Sequence, residues 1–138
     1  MSSLAAKTLI KAEFTANWTG APWFDLADYI NLADVPVANE TNTWIGLEFP
    51  PANETRVSIG TNTQSRESGL VVVHCMVPDG FPATAGDTLA EQARNFLRWK
   101  RLGALFMSDI NTPVSYQVDL GTWRDFTFTA NYYFDILS

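Results

Sequence analysis

His74 and Cys75 stand next to each other in the run GLVVVHCMV, residues 69–77, and are the only histidine and the only cysteine of the 138-residue chain. Imidazole is the usual proton carrier near neutral pH, and a thiolate is a strong nucleophile. Catalysis by such a pair needs both groups on one side of the backbone. The apolar run reads as a strand, in which adjacent side chains point to opposite faces. Cys75 is therefore expected in the core, as a small apolar residue. His74 is expected on the other face, as a structural histidine with no nucleophile or second acid–base group beside it. No metal site is expected, since there is no second histidine and the thiol points the wrong way. One cysteine allows no internal disulfide, so nothing points to an oxidising compartment.

The remaining charged residues form no catalytic pattern. There is no glycine-rich phosphate loop, GxSxG, HExxH or CxxC. Asp25 and Asp28 read as a polar face or a helix start, and Arg66–Glu67 as loop charge. No nucleophile stands with its base, so a protein that is not an enzyme and carries no cofactor is expected. Arg94, Arg98, Lys100 and Arg101 place four of the nine basic residues within eight positions. They either complement a helix dipole or form a patch for an acidic partner.

The elements that must position these residues follow from periodicity. A helix is expected over 3–14, capped by Ser2 or Ser3, with Leu4, Ala5, Thr8, Leu9 and Ala12 near one face. Residues 15–42 read as a long ordered connection with a helical turn at 24–31. Strands at 43–49 and 55–60, the latter with Val57 and Ile59 inward, would form a wide hairpin across Pro50–Pro51. The polar stretch 61–68 has no apolar anchor and reads as a loop, either an ordinary exposed hairpin connection or a segment ordered only by a partner. Residues 69–77 read as a central strand covered on both sides, or one whose second face meets another subunit. A helix over 84–100 carries the stripe Ala85, Leu89, Ala93, Phe96 and Leu97, with Thr84 and Asp87 at capping-box spacing and Gly103 as its stop. Strands follow at 104–108 and 113–121. A long last strand, 126–136, puts Phe126, Phe128, Ala130, Tyr132, Phe134 and Ile136 on one face.

Hydrophobic residues make up 46% and aromatics 13% of the chain, enough for one globular domain spanning 1–138. The net charge of −6 argues against gripping nucleic acid by phosphate neutralisation. The longest apolar run is too short to cross a membrane as a helix, and the first residues do not read as a signal peptide. The elements predict an α/β (α+β) fold: a mixed, mainly antiparallel sheet with an N-terminal helix and one main helix packed on it.

Trp44, the strand 69–77 with Pro78 and Gly80, Leu89, Ala90, Phe96, Trp123 and the aromatic run 132–134 occur in an order that resembles the phage tail-terminator family. The likeness covers about residues 40–138. It implies a virion protein of the tail neck, assembled in the host cytoplasm as a ring of identical subunits, typically six. Such rings cap the head-proximal end of the tail tube, stop its polymerisation and present a surface to head-completion proteins. DNA passes the lumen without specific binding, which suits the acidic balance. The implied contacts with tube or neighbour fall on Thr63, Gln64, Ser65, Arg66, Glu67, Ser68, Arg94, Arg98 and Arg101. A head-completion (stopper) ring is the nearest alternative. A carbohydrate-binding module, suggested by the aromatic content, is a more distant one.

Overall fold

Two 15-residue strands dominate the architecture, β4 (Gln64–Pro78) and β8 (Trp123–Leu137), paired antiparallel from Gln64↔Leu137 to Pro78↔Trp123. The computed structural model describes residues 4–28, 43–56, 64–78, 80–117 and 123–137. The order is α1 (Leu4–Asn17), β1 (Trp23–Asp25), a 3-10 turn (Leu26–Asp28), β2 (Trp44–Glu48), β3 (Asn53–Arg56) and β4. Then come α2 (Ala83–Leu97), β5 (Arg101–Leu102), β6 (Leu105–Ile110), β7 (Val114–Gln117) and β8. The sheet runs β1-β2-β4-β8-β6-β5, with β3 beside β4 and β7 beside β8. Only β1–β2 is parallel, so the fold is α+β with a mixed, mostly antiparallel sheet, as expected.

Each long strand is flanked on its outer edge by two short strands laid end to end. β2 pairs with residues 72–76 of β4, and β3 with residues 65–68. The expected hairpin between 43–49 and 55–60 is therefore wrong. Pro50 and Pro51 interrupt one edge, and the chain resumes in the same direction instead of reversing. Positions 57–60, including Val57 and Ile59, lie outside the described residues. On β8, β6 pairs with residues 130–134 and β7 with 124–127. Asn111 bridges the break between them. Its backbone N–H donates to the Thr129 carbonyl (3.1 Å), and its side-chain oxygen accepts from the Thr129 N–H (2.7 Å). The ladder of β8 thus stays satisfied where the edge strand changes.

The second half of the polar stretch is not a loop. Gln64–Ser68 belong to β4; Ser65–Ser68 have ladder partners on both sides, and Gln64 pairs with Leu137. Backbone pairing does not require apolar side chains, and here the neighbouring strands supply polar ones that match. Thr63, with residues 61–62, lies outside the described residues.

One face of the sheet holds the core. Val71, Val73, Cys75 and Val77 of β4 and Phe126, Phe128, Ala130 and Tyr132 of β8 are buried in one cluster with residues of both helices. The alternation expected for 126–132 is thus met, and Cys75 is in the core. Its thiol is pushed well above the ordinary range, by desolvation first and the negative Asp125 second. α1 buries Ala6, Ile10 and Phe14, a different face from the one expected, and leaves Leu4 exposed. The spacing i, i+4, i+8 turns Ile10 and Phe14 toward the core, where Phe14 joins the aromatic group Phe14–Trp18–Trp23–Phe96.

α2 buries Gly86, Leu89, Ala90, Ala93 and Leu97, with Ala85 and Phe96 partly covered. Gly86 permits the close approach to β8, since a Cβ there would fall inside the Phe126 ring. The helix begins at Pro82, not at a Thr84–Asp87 box, and Pro82 makes no side-chain cap. Proline needs no N–H partner and its backbone already leads into the first turn, so Thr84 and Asp87 stay exposed on the helix. In the first connection, Trp23–Asp25 is a strand rather than part of a helical turn. Asp25 then accepts from the Ala27 N–H (3.0 Å) and pairs with Lys11 (2.9 Å), which starts the 3-10 turn. Residues 29–31 of the expected turn lie outside the described residues.

Candidate functional site

His74 does have acid–base groups beside it, contrary to the sequence reading. The register sets Gly46, His74 and Thr127 in one row across β2, β4 and β8. Two residues along its strand, Glu48 reaches back to His74 Nε2 (2.8 Å); Asp125, two residues before Thr127, meets Nδ1 (2.7 Å). Thr127 donates to the second Asp125 oxygen (2.6 Å) and lies 3.2 Å from Nδ1. A carboxylate at each ring nitrogen favours the charged, doubly donating form of the imidazole. Burial opposes that charge, but Asp125 first and Glu48 second outweigh it, and the His74 pKa is raised. Both ring nitrogens are engaged by these contacts. The cluster ties three strands together on the sheet face away from the core. That face is only partly covered: Leu70, Val72 and His74 are half-buried, while Trp44 and Met76 are fully buried.

The first set of candidate contact residues is largely spoken for. Arg66 forms a two-pronged pair with Asp135 (2.8 and 3.3 Å) and lies over the rings of Phe106 and Tyr133. Hydrogen bonding to Arg66 lowers the Asp135 pKa, and the same contact raises that of Arg66. Glu67, on the opposite face, is buried and accepts from the Tyr132 hydroxyl (2.5 Å). Gln64 is exposed, and Ser65 and Ser68 are half-buried.

The second set divides at the end of α2. Arg94 turns inward onto Glu91 (2.7 Å), and Lys100 reaches Glu13 of α1 (3.0 Å) while resting on the Phe96 ring (3.9 Å). Arg98 has only a loose pair with Glu91 (3.7 Å), and Arg101 is exposed above Phe106 (5.8 Å). Between them stands Trp99, which the sequence reading placed inside the helix. The helix stops at Leu97, and Trp99 takes φ = 59°, the left-handed position where glycine is usual. Its side chain is 79% exposed. Gly103, the expected stop, instead makes the β5–β6 turn at φ = 64°. The available signal for Trp99 was an aromatic among four cations at a helix end, which periodicity alone reads as one more helical turn.

A groove of about 430 Å³ lies at the other end of α2. Ala21, Phe81, Thr84, Ala85, Thr88 and Leu89 line it, and Phe81 at its lip is 39% exposed. It opens onto the helix face that carries Asp87 and Glu91. No known family model and no curated protein matches the chain.

Proposed function

We propose that this chain is a ring-forming virion protein that caps the head-proximal end of a phage tail tube, stops its growth and offers the head-joining surface. The observation that carries the reading is the corner 98–101. A bulky aromatic is held out in a left-handed backbone between two exposed arginines, an arrangement that folding of one subunit leaves uncovered. Exposed tryptophan and arginine are the residue types that anchor protein interfaces. The acidic total, −6, suits a lumen through which DNA slides. The His74 cluster joins three strands of the sheet, which fits a structural role in an assembling subunit.

Of the tryptophans whose side chains are described, Trp44 is buried, Trp18 and Trp23 pack beside Phe14, and only Trp99 is exposed. A flat sugar-binding platform would need several exposed together. The test is electron microscopy of phage assembled without this protein. Overlong or uncapped tails are expected. Heads that leak DNA on normal tails would instead indicate a stopper ring, and normal virions would refute both.

A further inference from the structure

We propose that Trp99 of one copy docks into the Ala85–Leu89 groove of a second copy, joining subunits head to tail. The inference rests on the ring reading above and names the contact that would build the ring.

Three observations carry it. First, the knob and the groove lie on the same helix but far apart. From Thr88 to Leu97, the last helical residue before Trp99, is roughly 13 Å along the axis at about 1.5 Å per residue, so the knob stands away from its own groove. Second, the charges match. The exposed face beside the groove carries Asp87 and Glu91 among Thr84, Thr88, Gln92 and Asn95; Glu91 is met by Arg94 and loosely by Arg98 of its own subunit, so Asp87 is the acid offered to a partner. The knob is flanked by Arg98 and Arg101. Arg94 and Lys100 are turned onto Glu91 and Glu13 of their own subunit and Arg98 pairs loosely with Glu91, which leaves exposed Arg101 as the cation that faces Asp87 of the next copy. Third, the groove already holds an aromatic surface at its lip, Phe81, against which an indole can pack. Each copy offers one knob and one groove on different surfaces. Such a contact is heterologous, and it continues from subunit to subunit until rotation closes it.

The test uses the full chain, followed by native mass and analytical ultracentrifugation over a concentration series. Wild type is expected to form assemblies larger than two. Trp99→Gly removes the indole and relieves the left-handed backbone, so the denaturation midpoint should hold or rise while association weakens roughly thirtyfold or more. Thr88→Arg, an exposed position, should block the groove to a similar degree. An equal mixture of the two variants has one intact contact per pair and should stop at two subunits. Arg101→Glu should weaken association about fivefold, and adding Asp87→Lys to it should restore binding by reversing both charges.

Wild-type assembly that persists unchanged in Trp99→Gly would overturn this contact and leave the ring reading standing. A closed two-fold dimer of wild type would overturn the head-to-tail arrangement. A wild-type chain that stays monomeric at every concentration would overturn the docking outright. Normal tails in virions lacking the protein would remove the ring reading while leaving a measured Trp99 contact intact.

Discussion

The first five residues of β4 and the four residues after α2 have similar chemistry on paper and opposite fates in the fold. Both are polar, and both carry arginine and an acidic residue within reach. In β4, Arg66 is taken by Asp135 and two aromatic rings, and Glu67 by the Tyr132 hydroxyl. At the corner, Lys100 is taken in the same way and Arg98 loosely by Glu91, but Arg101 and Trp99 are left outward. Charge in a sequence therefore marks a potential contact, and internal pairing decides which charges remain for a partner. β4 lies in mid-sheet, where neighbouring strands put a partner within reach of its side chains. The corner lies where the chain leaves a helix, and one side has no neighbour.

The strongest way to disturb this contrast is at Gly86, which seats the helix bearing both knob and groove. Gly86→Ala should drive a methyl group into Phe126 and lower stability by up to about 3 kcal/mol, measured by urea unfolding. An unchanged midpoint would mean that α2 is seated otherwise. Next comes Tyr132→Phe, which deprives buried Glu67 of a donor. A loss of about 1.5 kcal/mol is expected at neutral pH, and no loss would show that Glu67 is not held internally.

The smallest effect concerns His74, a third charged group satisfied from within. Its folded pKa is raised above the ordinary 6.5. The folded state therefore binds the proton more tightly than the unfolded chain does. The resulting stability is complete below about pH 6.5 and is lost as pH rises through the raised folded value. Unfolding midpoints should fall across that window in wild type and lose that slope in His74→Gln. A wild-type midpoint that instead rises through it would show that His74 is buried neutral.

Much of the fold was legible in local pattern. Alternation at 126–132 placed one face of β8 in the core, and the opposed facing of His74 and Cys75 followed from two adjacent positions in a strand. The stripe through Leu89, Ala93 and Leu97 placed α2. Pattern misjudged α1, because Leu4, Ala5 and Leu9 match a helical face as well as Ala6, Ile10 and Phe14 do. Only the sheet and the Trp18–Trp23–Phe96 group select between them.

The candidate site is legible in part: clustering singles out Arg98 and Arg101, while periodicity makes Trp99 one more helical residue. Glu48 and Asp125 stand 26 positions before and 51 after His74, and nothing local relates them.

By itself, the sequence determined the α+β class, the long central and final strands, the main helix and the cation cluster at its end. These rest on short-range periodicity and composition, which act within a few residues. Only the tertiary structure decided that Gln64–Ser68 are strand, that β2 and β3 share one edge, and that His74 is clamped between carboxylates. It also decided which arginines face outward. Those outcomes depend on strand register and on partners far along the chain, and side-chain pairing is settled only when the sheet has closed around it.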